Sequence, residues 1–324
     1  MRASMLRSHS AHSLSPSARL DDTLSALADC TILCRCRNVI LVTFGVLVSI
    51  GALVWMVVTG SCLLVQGFRQ GHVAGFLIGA TLSTLAGGRG LWWVTNLRVL
   101  RHQPLLGLRR VGFVSWGGLT GAVAFTTGFA FTLGYPVMVL SDAVMRGMFA
   151  AYAIGRIGCL TYGCCYGRTS PTSGVWYRNP DSKVVRERGP CYAPRYPTQV
   201  YSAAFGTLLF VGLNAMPYYE MPAGWITAAT CLAYPIGRAW VEVFRERDRY
   251  IGGLFTTGHS ACLVMFLAGC ALLLFLDSSS LAPAPLPLSA SAIRQSLSLA
   301  PAILLGGSVV FVATSVHWKR IGSW

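Results

Sequence analysis

The run VILVTFGVLVSIGALVWMVV, residues 39–58, decides the fold class. It is 20 residues long and carries no charge. A helix of about 20 apolar residues, rising about 1.5 Å per residue, matches the ~30 Å hydrocarbon core of a bilayer. Working outward, similar stretches recur. One runs from His72 to Gly88, with Arg89 at its end. Others cover 111–135, 136–160 (holding Asp142, Arg146 and Arg156), 197–217, 223–244 (holding Arg238 and Glu242) and 253–276. A last one covers 298–316. Backbone in lipid must satisfy its own hydrogen bonds, and these stretches lack the period-2 alternation of a barrel. The expected fold is an all-α polytopic membrane protein with seven core transmembrane helices plus an eighth.

Composition agrees. Of 324 residues, 54% are hydrophobic and 11% charged, where soluble domains carry about 25% charged residues. The mean hydropathy is +0.56. A soluble domain and a disordered chain are both excluded. The net charge is +15, from 24 Arg and 2 Lys against 11 acids. In so apolar a chain this favours the lipid bilayer and its anionic phospholipid over nucleic acid as partner. Residues 1–37 read as a mobile Ser- and Arg-rich tail, not a signal peptide, because the apolar run starts late and is long. Residues 38–276 read as one membrane domain. Residues 277–297 read as a Pro/Ser/Ala-rich linker, and 298–324 as an extra helix with a C-terminal tail. No long internal repeat is visible.

Ionisable residues inside spans are costly and point to function. Asp142 and Arg146, and Arg238 and Glu242, stand four apart and can pair to fix the bundle. Two acids cannot neutralise Arg89, Arg146, Arg156, Arg238 and the nearby Arg168 and Arg245. The surplus calls for an anion, and the guanidinium fork matches phosphate oxygens. Gly117 and Gly121, and Gly163 and Gly167, have the G-x-x-x-G spacing that brings helices close. Glycines around Arg156 also let backbone N–H groups reach a ligand, or serve packing alone. Of the 11 cysteines, Cys62, Cys231, Cys262 and Cys270 read as small apolar residues. Cys30, Cys34 and Cys36 lack a fourth ligand at the spacing of a zinc motif, so no metal site is assigned.

The segment Gly155-Arg156-Ile157-Gly158-Cys159-Leu160-Thr161-Tyr162-Gly163-Cys164-Cys165-Tyr166-Gly167-Arg168 resembles the signature of the prolipoprotein diacylglyceryl transferase family. Other pieces follow in the family's order. Trp116-Gly117-Gly118-Leu119-Thr120-Gly121 resembles its His-Gly-Gly-x-x-Gly segment, and Asp142 its preceding Asp. Arg195-Tyr196-Pro197-Thr198-Gln199-Val200-Tyr201 is similar to His-Pro-Thr-Gln-Leu-Tyr. Gly237 to Arg245 is similar to Arg-Phe-x-x-Glu-Phe-x-Arg. Gly253-Leu254 through Gly258-His259 resembles Gly-Leu…Gly-Gln.

The resemblance implies a multi-pass protein of the bacterial inner (plasma) membrane that uses no metal or diffusible cofactor. It implies transfer of a diacylglyceryl group from phosphatidylglycerol to the lipobox cysteine of a prolipoprotein signal peptide, forming a thioether and releasing glycerol phosphate. Carried over by position, Arg156 and Arg238 hold the phosphate and stabilise the leaving group. Arg245 and Glu242 shape that site, and Gly167 permits close backbone approach. Asp142, Gly163, Gly117, Gly118, Tyr201 and Arg89 complete the expected substrate-binding set.

Four departures stand out. Trp116 and Tyr196 replace family histidines. Cys159 and Tyr162 replace signature Asn residues, and Cys164 a Glu. His259 is the substitute candidate for the lost base. The alternative is that arginines alone favour the thiolate of the acceptor. A relative that only binds anionic phospholipid, or uses another acceptor, is the competing possibility. Cys164 or Cys165 pairs with Cys191 if their loop meets an oxidising compartment; free packing thiols are the alternative. Twenty Lys and Arg fall on one face and two on the other. The positive-inside rule makes the rich face cytoplasmic, whereas the resemblance places loop 166–195 in the periplasm. Functional arginines bias that count, which favours the second orientation.

Overall fold

The computed structural model describes residues 16–102, 112–215, 222–246, 257–276, 289–318 and 321. Every apolar stretch of the sequence contains a helix. These are α2 (Thr43–Val65), α3 (Gln70–Thr95), α5 (Ser115–Leu133), α6 (Val137–Tyr162), α8 (Thr198–Ala215), α9 (Trp225–Phe244), α10 (Thr257–Phe275) and α12 (Ala300–Ser315). Short helices α1 (Pro16–Ala28), α4 (Leu97–His102), α7 (Lys183–Arg188) and α11 (Ala290–Ser296) lie between or before them. Among the described residues, four helical stretches are long and apolar enough to cross a membrane: Thr43–Val65, Val137–Tyr162, Gly258–Phe275 and Ala290–Ser315. The last joins α11, a 3-10 turn and α12.

The chain also has a small antiparallel sheet in the order β1 (Ile32–Cys36), β2 (Val39–Val42), β3 (Val316–Trp318). Helical periodicity did not show it. Val39–Val42 belongs to the apolar run, yet Ile40 and Val42 alternate inward as buried strand residues. The backbone of Thr43 then donates to the Thr31 carbonyl at 3.1 Å. The helix therefore starts four residues later than the apolar run and continues to Val65.

Much of the segment read as a tail is folded. In α1, Asp21 accepts from the Gly174 backbone at 3.1 Å and Ser25 from Trp176 at 3.0 Å, and Asp29, just past the helix, accepts from Arg178 and Asn179 at 2.9 and 3.0 Å. Short polar side chains that suggest disorder in isolation here supply acceptors for a loop whose backbone has few others. Residues 1–15 and 277–288 lie outside the described residues. Residues 290–296 of the expected linker are helix α11.

Helix pairing follows from small residues. Without a hydrophobic driving force between helices in lipid, association depends on close packing and interhelical hydrogen bonds. On α2 and α6, a Cβ at Gly147 would stand 2.9 Å from the Trp55 carbonyl, and one at Gly51 would stand 3.0 Å from that of Ala151. Trp55 and Thr59 donate across this seam to the carbonyls of Val144 and Ala143 at 3.3 and 3.2 Å. On α3 and α5, Gly87 packs on the Gly117 backbone and Gly121 on that of Ser83. The Gly117/Gly121 spacing thus serves a close helix contact. The Gly163/Gly167 spacing does not. Gly163 caps α6 at φ 72° and Gly167 lies in the loop beyond.

Helix α12 packs on α2 and α3, and its strand β3 closes the sheet on β2. The N-terminal part and the C-terminal strand therefore meet at one end of the bundle, beside the C-terminus of α6. There Thr31 donates to the Thr161 carbonyl at 2.9 Å, and Arg186 donates to that of Ile321 at 3.3 Å.

Candidate functional site

At this end of the bundle three separated sequence segments lock together. Helix α6 stops at Gly163, whose positive φ suits glycine, and the Cys164 N–H returns to the Cys159 carbonyl at 3.1 Å. The following loop is then fastened. Thr198 donates to the Cys165 carbonyl at 2.8 Å, and Gln199 donates to that of Cys164 at 2.7 Å. Arg168 N–H donates to the Phe244 carbonyl at 2.9 Å, and the Tyr196 N–H to that of Arg168 at 3.1 Å. Gly167 sits between the Tyr196 and Phe244 carbonyls, where a Cβ has no room, and bridges to Arg245. The Gly-Arg signature, the Pro-Thr-Gln segment and the arginine-rich end of α9 thus form one structure.

The arginines converge on an aromatic pair. Arg156 lies over the Tyr152 ring at 4.6 Å. Tyr152 meets Tyr234 edge-on at 5.6 Å, and Tyr234 lies within electrostatic reach of both Arg156 and Arg238. Each arginine follows its tyrosine by four residues, so each pair lies on one helix face. Pro235, beside Tyr234 within α9, deprives the Cys231 carbonyl of its helical donor. Arg238 pairs with Glu242, and Arg245 approaches the same carboxylate at 3.6 Å. Glu242 is 8% exposed. Among the described residues Arg156 makes no ion pair. Two cations thus share one carboxylate, and Arg156 adds a third guanidinium through the Tyr152–Tyr234 pair. Such an arginine-rich, partly buried site suits a phosphate, which accepts forked hydrogen bonds from guanidinium groups.

A sequence model described as prolipoprotein diacylglyceryl transferase matches residues 31–275. The chain belongs to that family. It is 28% identical over 233 residues to the phosphatidylglycerol–prolipoprotein diacylglyceryl transferase 2 of Clostridium perfringens, covering 70% of this chain and 88% of that one. It is 24% identical over 228 residues to the phosphatidylglycerol–prolipoprotein diacylglyceryl transferase of Clostridium tetani, covering 70% and 89%. The enzyme of that name from Allorhizobium ampelinum is 32% identical over 209 residues, covering 61% and 70%.

The remaining residues expected from the family's motifs fall in two groups. Near the arginines lies the start of α10. A Cβ on Gly258 would stand 3.1 Å from the Glu242 carboxylate, and His259 follows it directly. Tyr201, on α8, packs its ring 5.7 Å from both Trp240 and Phe244, on the face of α9 beside Arg245.

The others lie elsewhere. Asp142 accepts from the Gly224 and Thr227 N–H groups at 2.7 and 2.8 Å and from the Thr227 hydroxyl at 2.6 Å. It satisfies orphan donors at the N-terminus of α9, about 16 Å along that helix from Arg238 at ~1.5 Å per residue. Its carboxylate is thereby occupied, which accounts for its place in the fold without a substrate. Gly117 and Gly118 are packed against α3 and Phe113. Arg89 donates to the Gly112 carbonyl at 3.1 Å and stacks by Trp92 and Trp93. Gly163 is a helix cap whose Cα faces Ser182. Trp116, at the family's His position, is 56% exposed on α5.

Three residues of the site were not singled out from the sequence. Tyr152 and Tyr234 were legible only as aromatic positions four before an arginine. Arg195 is 8% exposed, donates to the Gly167 carbonyl at 3.0 Å and to Glu246 at 2.5 Å, and lies over Tyr166 at 4.8 Å. Burial pulls its guanidinium down, and the Glu246 carboxylate and Cys191 together more than offset this. Its sequence signal was its place before Tyr196-Pro197-Thr198-Gln199. Burial pushes the Tyr177 phenol up, so it stays neutral and accepts from Gln199 at 3.0 Å. All 11 cysteines are free thiols, and Cys164 and Cys165 group with Cys159. Cys191 instead packs with Tyr166 and Val185 beside Arg195.

Proposed function

We propose that this protein transfers the diacylglyceryl group of phosphatidylglycerol to the cysteine thiol of a prolipoprotein lipobox. The acceptor is the signal peptide of a secreted precursor, and the site of action is the bacterial inner membrane. The acceptor sulfur, as thiolate, attacks the glyceryl carbon bearing the phosphate ester. The new C–S bond is a thioether. The broken C–O bond leaves its electron pair on the departing glycerol phosphate, and the thiol proton passes to solvent.

The single observation that carries this is the grouping of three arginines at one end of the bundle: Arg238 and Arg245 share the Glu242 carboxylate, and Arg156 joins Arg238 across the Tyr152–Tyr234 pair. Charge grows on the phosphate oxygen as the C–O bond breaks, and fixed guanidinium donors stabilise it without reorganisation. The same field favours the thiolate over the thiol. Glu242 holds Arg238 and Arg245 in register and keeps the pocket from excess self-repulsion. Tyr152 fixes the plane of Arg156, and Glu242 that of Arg238. His259, which follows Gly258 at the start of α10, is the imidazole we assign to pass that proton from the acceptor thiol to solvent. Both substrates meet where the bundle ends, within reach of lipid and of an extended signal peptide.

Purified protein in detergent, given phosphatidylglycerol and a synthetic lipobox peptide, should yield a diacylglyceryl adduct on the peptide cysteine by mass spectrometry. Arg156→Ala should abolish it. A second possibility, a relative that only binds anionic phospholipid, draws on one observation: Trp116 stands where the family has His. Lipid binding with no adduct would favour it and overturn the transferase proposal.

A further inference from the structure

We propose that Cys159, Cys164 and Cys165 form a three-sulfur site for a thiophilic cation of the copper(I) class. Their Sγ atoms all lie within 4.8 Å of one another. Metal–sulfur bonds of ~2.3 Å arranged around one ion place neighbouring sulfurs about 4 Å apart. The separations of the three sulfurs, none above 4.8 Å, are close to that spacing.

The backbone is already fixed. Cys159 lies in the last turn of α6, and the Cys164 N–H is bonded to its carbonyl. Gln199 and Thr198 hold the carbonyls of Cys164 and Cys165. Cys165 has φ 56°, in the left-handed region, and its Sγ lies with those of Cys159 and Cys164. A strained conformation held by two outside hydrogen bonds presents a sulfur to its two neighbours.

Charge and ligand number select the ion. Thiolates favour soft cations over calcium or magnesium. Structural zinc takes four ligands, and among the described residues no fourth His, Cys, Asp or Glu joins the cluster. Copper(I) accepts three sulfurs. Three thiolates around one copper(I) carry a net charge of −2, and the protons still held by the thiols pass to solvent on binding. Arg156 and Arg245 both lie within electrostatic reach of Cys165 and balance that charge. Nothing in the proposed transfer reaction uses this ion, and the binding test does not depend on that reaction.

Full-length protein, reduced and purified in detergent without oxygen, would be titrated with copper(I) against a chromophoric copper(I) chelator. Cys34 and Cys36 are exposed with sulfurs 3.3 Å apart, so the Cys34→Ser/Cys36→Ser variant is measured alongside the wild type. That variant should still withhold one equivalent from the chelator. X-ray absorption should count three sulfurs around the copper. Cys159→Ser, Cys164→Ser and Cys165→Ser, each added to it, should weaken binding by more than about 100-fold, beyond the 10- to 100-fold typical of losing a partner outside the ligand set. No withheld equivalent, a count of two sulfurs, or unchanged affinity in the serine variants would overturn the site. The sulfur count needs no variant of the three cysteines, so it decides the matter even if one of them fails to fold.

Discussion

At the residue scale, the unusual feature is a pair of Tyr-x-x-x-Arg steps on facing helices, Tyr152/Arg156 on α6 and Tyr234/Arg238 on α9. Tyr152 limits the planes Arg156 can adopt, and Tyr234 lies between the two arginines; in the proposed reaction such orientation precedes phosphate binding. Arg238→Ala should lower the transfer rate about 10²- to 10³-fold, as for loss of a donor to a developing oxyanion. Arg238→Lys should recover little, because an ammonium cannot reproduce the fork. Steady-state rates with phosphatidylglycerol and the lipobox peptide check both. A second prediction concerns Cys165. Hydrogen bonds from Cys159 and Cys164, aided by Arg156 and Arg245, hold its thiol well below the usual range. An acid with a lowered pKa stays deprotonated as pH falls until that lower value is passed. Alkylation of Cys165 by iodoacetamide should therefore persist at pH values where Cys164, pushed up by the same hydrogen bonds, is unreactive. Peptide mapping across pH separates the two. Equal rates would remove the cluster's asymmetry.

At the element scale, Asp142 shows how a motif residue can be structural. Its carboxylate caps α9 and joins it to α6. Asp142→Ala strands two buried N–H groups and should cost about 1–3 kcal/mol of stability, read as a lower melting temperature in detergent. The rate per folded molecule should hold, because the cap lies at the far end of α9 from Arg238. The sheet supplies another prediction. Burial lowers the pKa of His317 on β3, with Arg186 adding to the effect. A base whose folded pKa is depressed binds fewer protons folded than unfolded, so its stability contribution is complete above the unfolded value and falls as pH drops below it. Amide protection factors at β2 and β3, which discount the intrinsic pH dependence of exchange, should fall below about pH 6.5, the ordinary histidine value, and His317→Gln should remove that fall. In the sequence, Val39–Val42 looked like the start of a span because β-branched residues serve strand and lipid-facing helix alike. Only pairing with β1 and β3, distant in sequence, separates the two.

At the scale of the whole molecule, one end of the bundle gathers the N-terminal helix, the sheet, the loop 163–197 and the arginine cluster. All must face the same side of the membrane. If the family's orientation holds, an impermeant maleimide applied to spheroplasts should label the exposed Cys34, whereas the positive-inside rule forecasts protection until the cells are broken. This one label reports the side for the arginine site as well, because Arg35 on the same strand bonds Asp181 of that loop at 3.3 Å.

The sequence by itself determined the membrane class, the helical segments, the family resemblance and the surplus of buried arginine. These depend on local properties, namely apolar run length, charge count and motif spacing, which no folding is needed to express. Tertiary structure alone decided that Asp142 caps a helix, that Gly117 and Gly118 pack α3, that Arg195 is buried on Glu246, and that three cysteines meet. Each depends on which distant segment supplies the partner. A carboxylate's role is fixed by the donors that reach it, and here those donors stand more than eighty residues away.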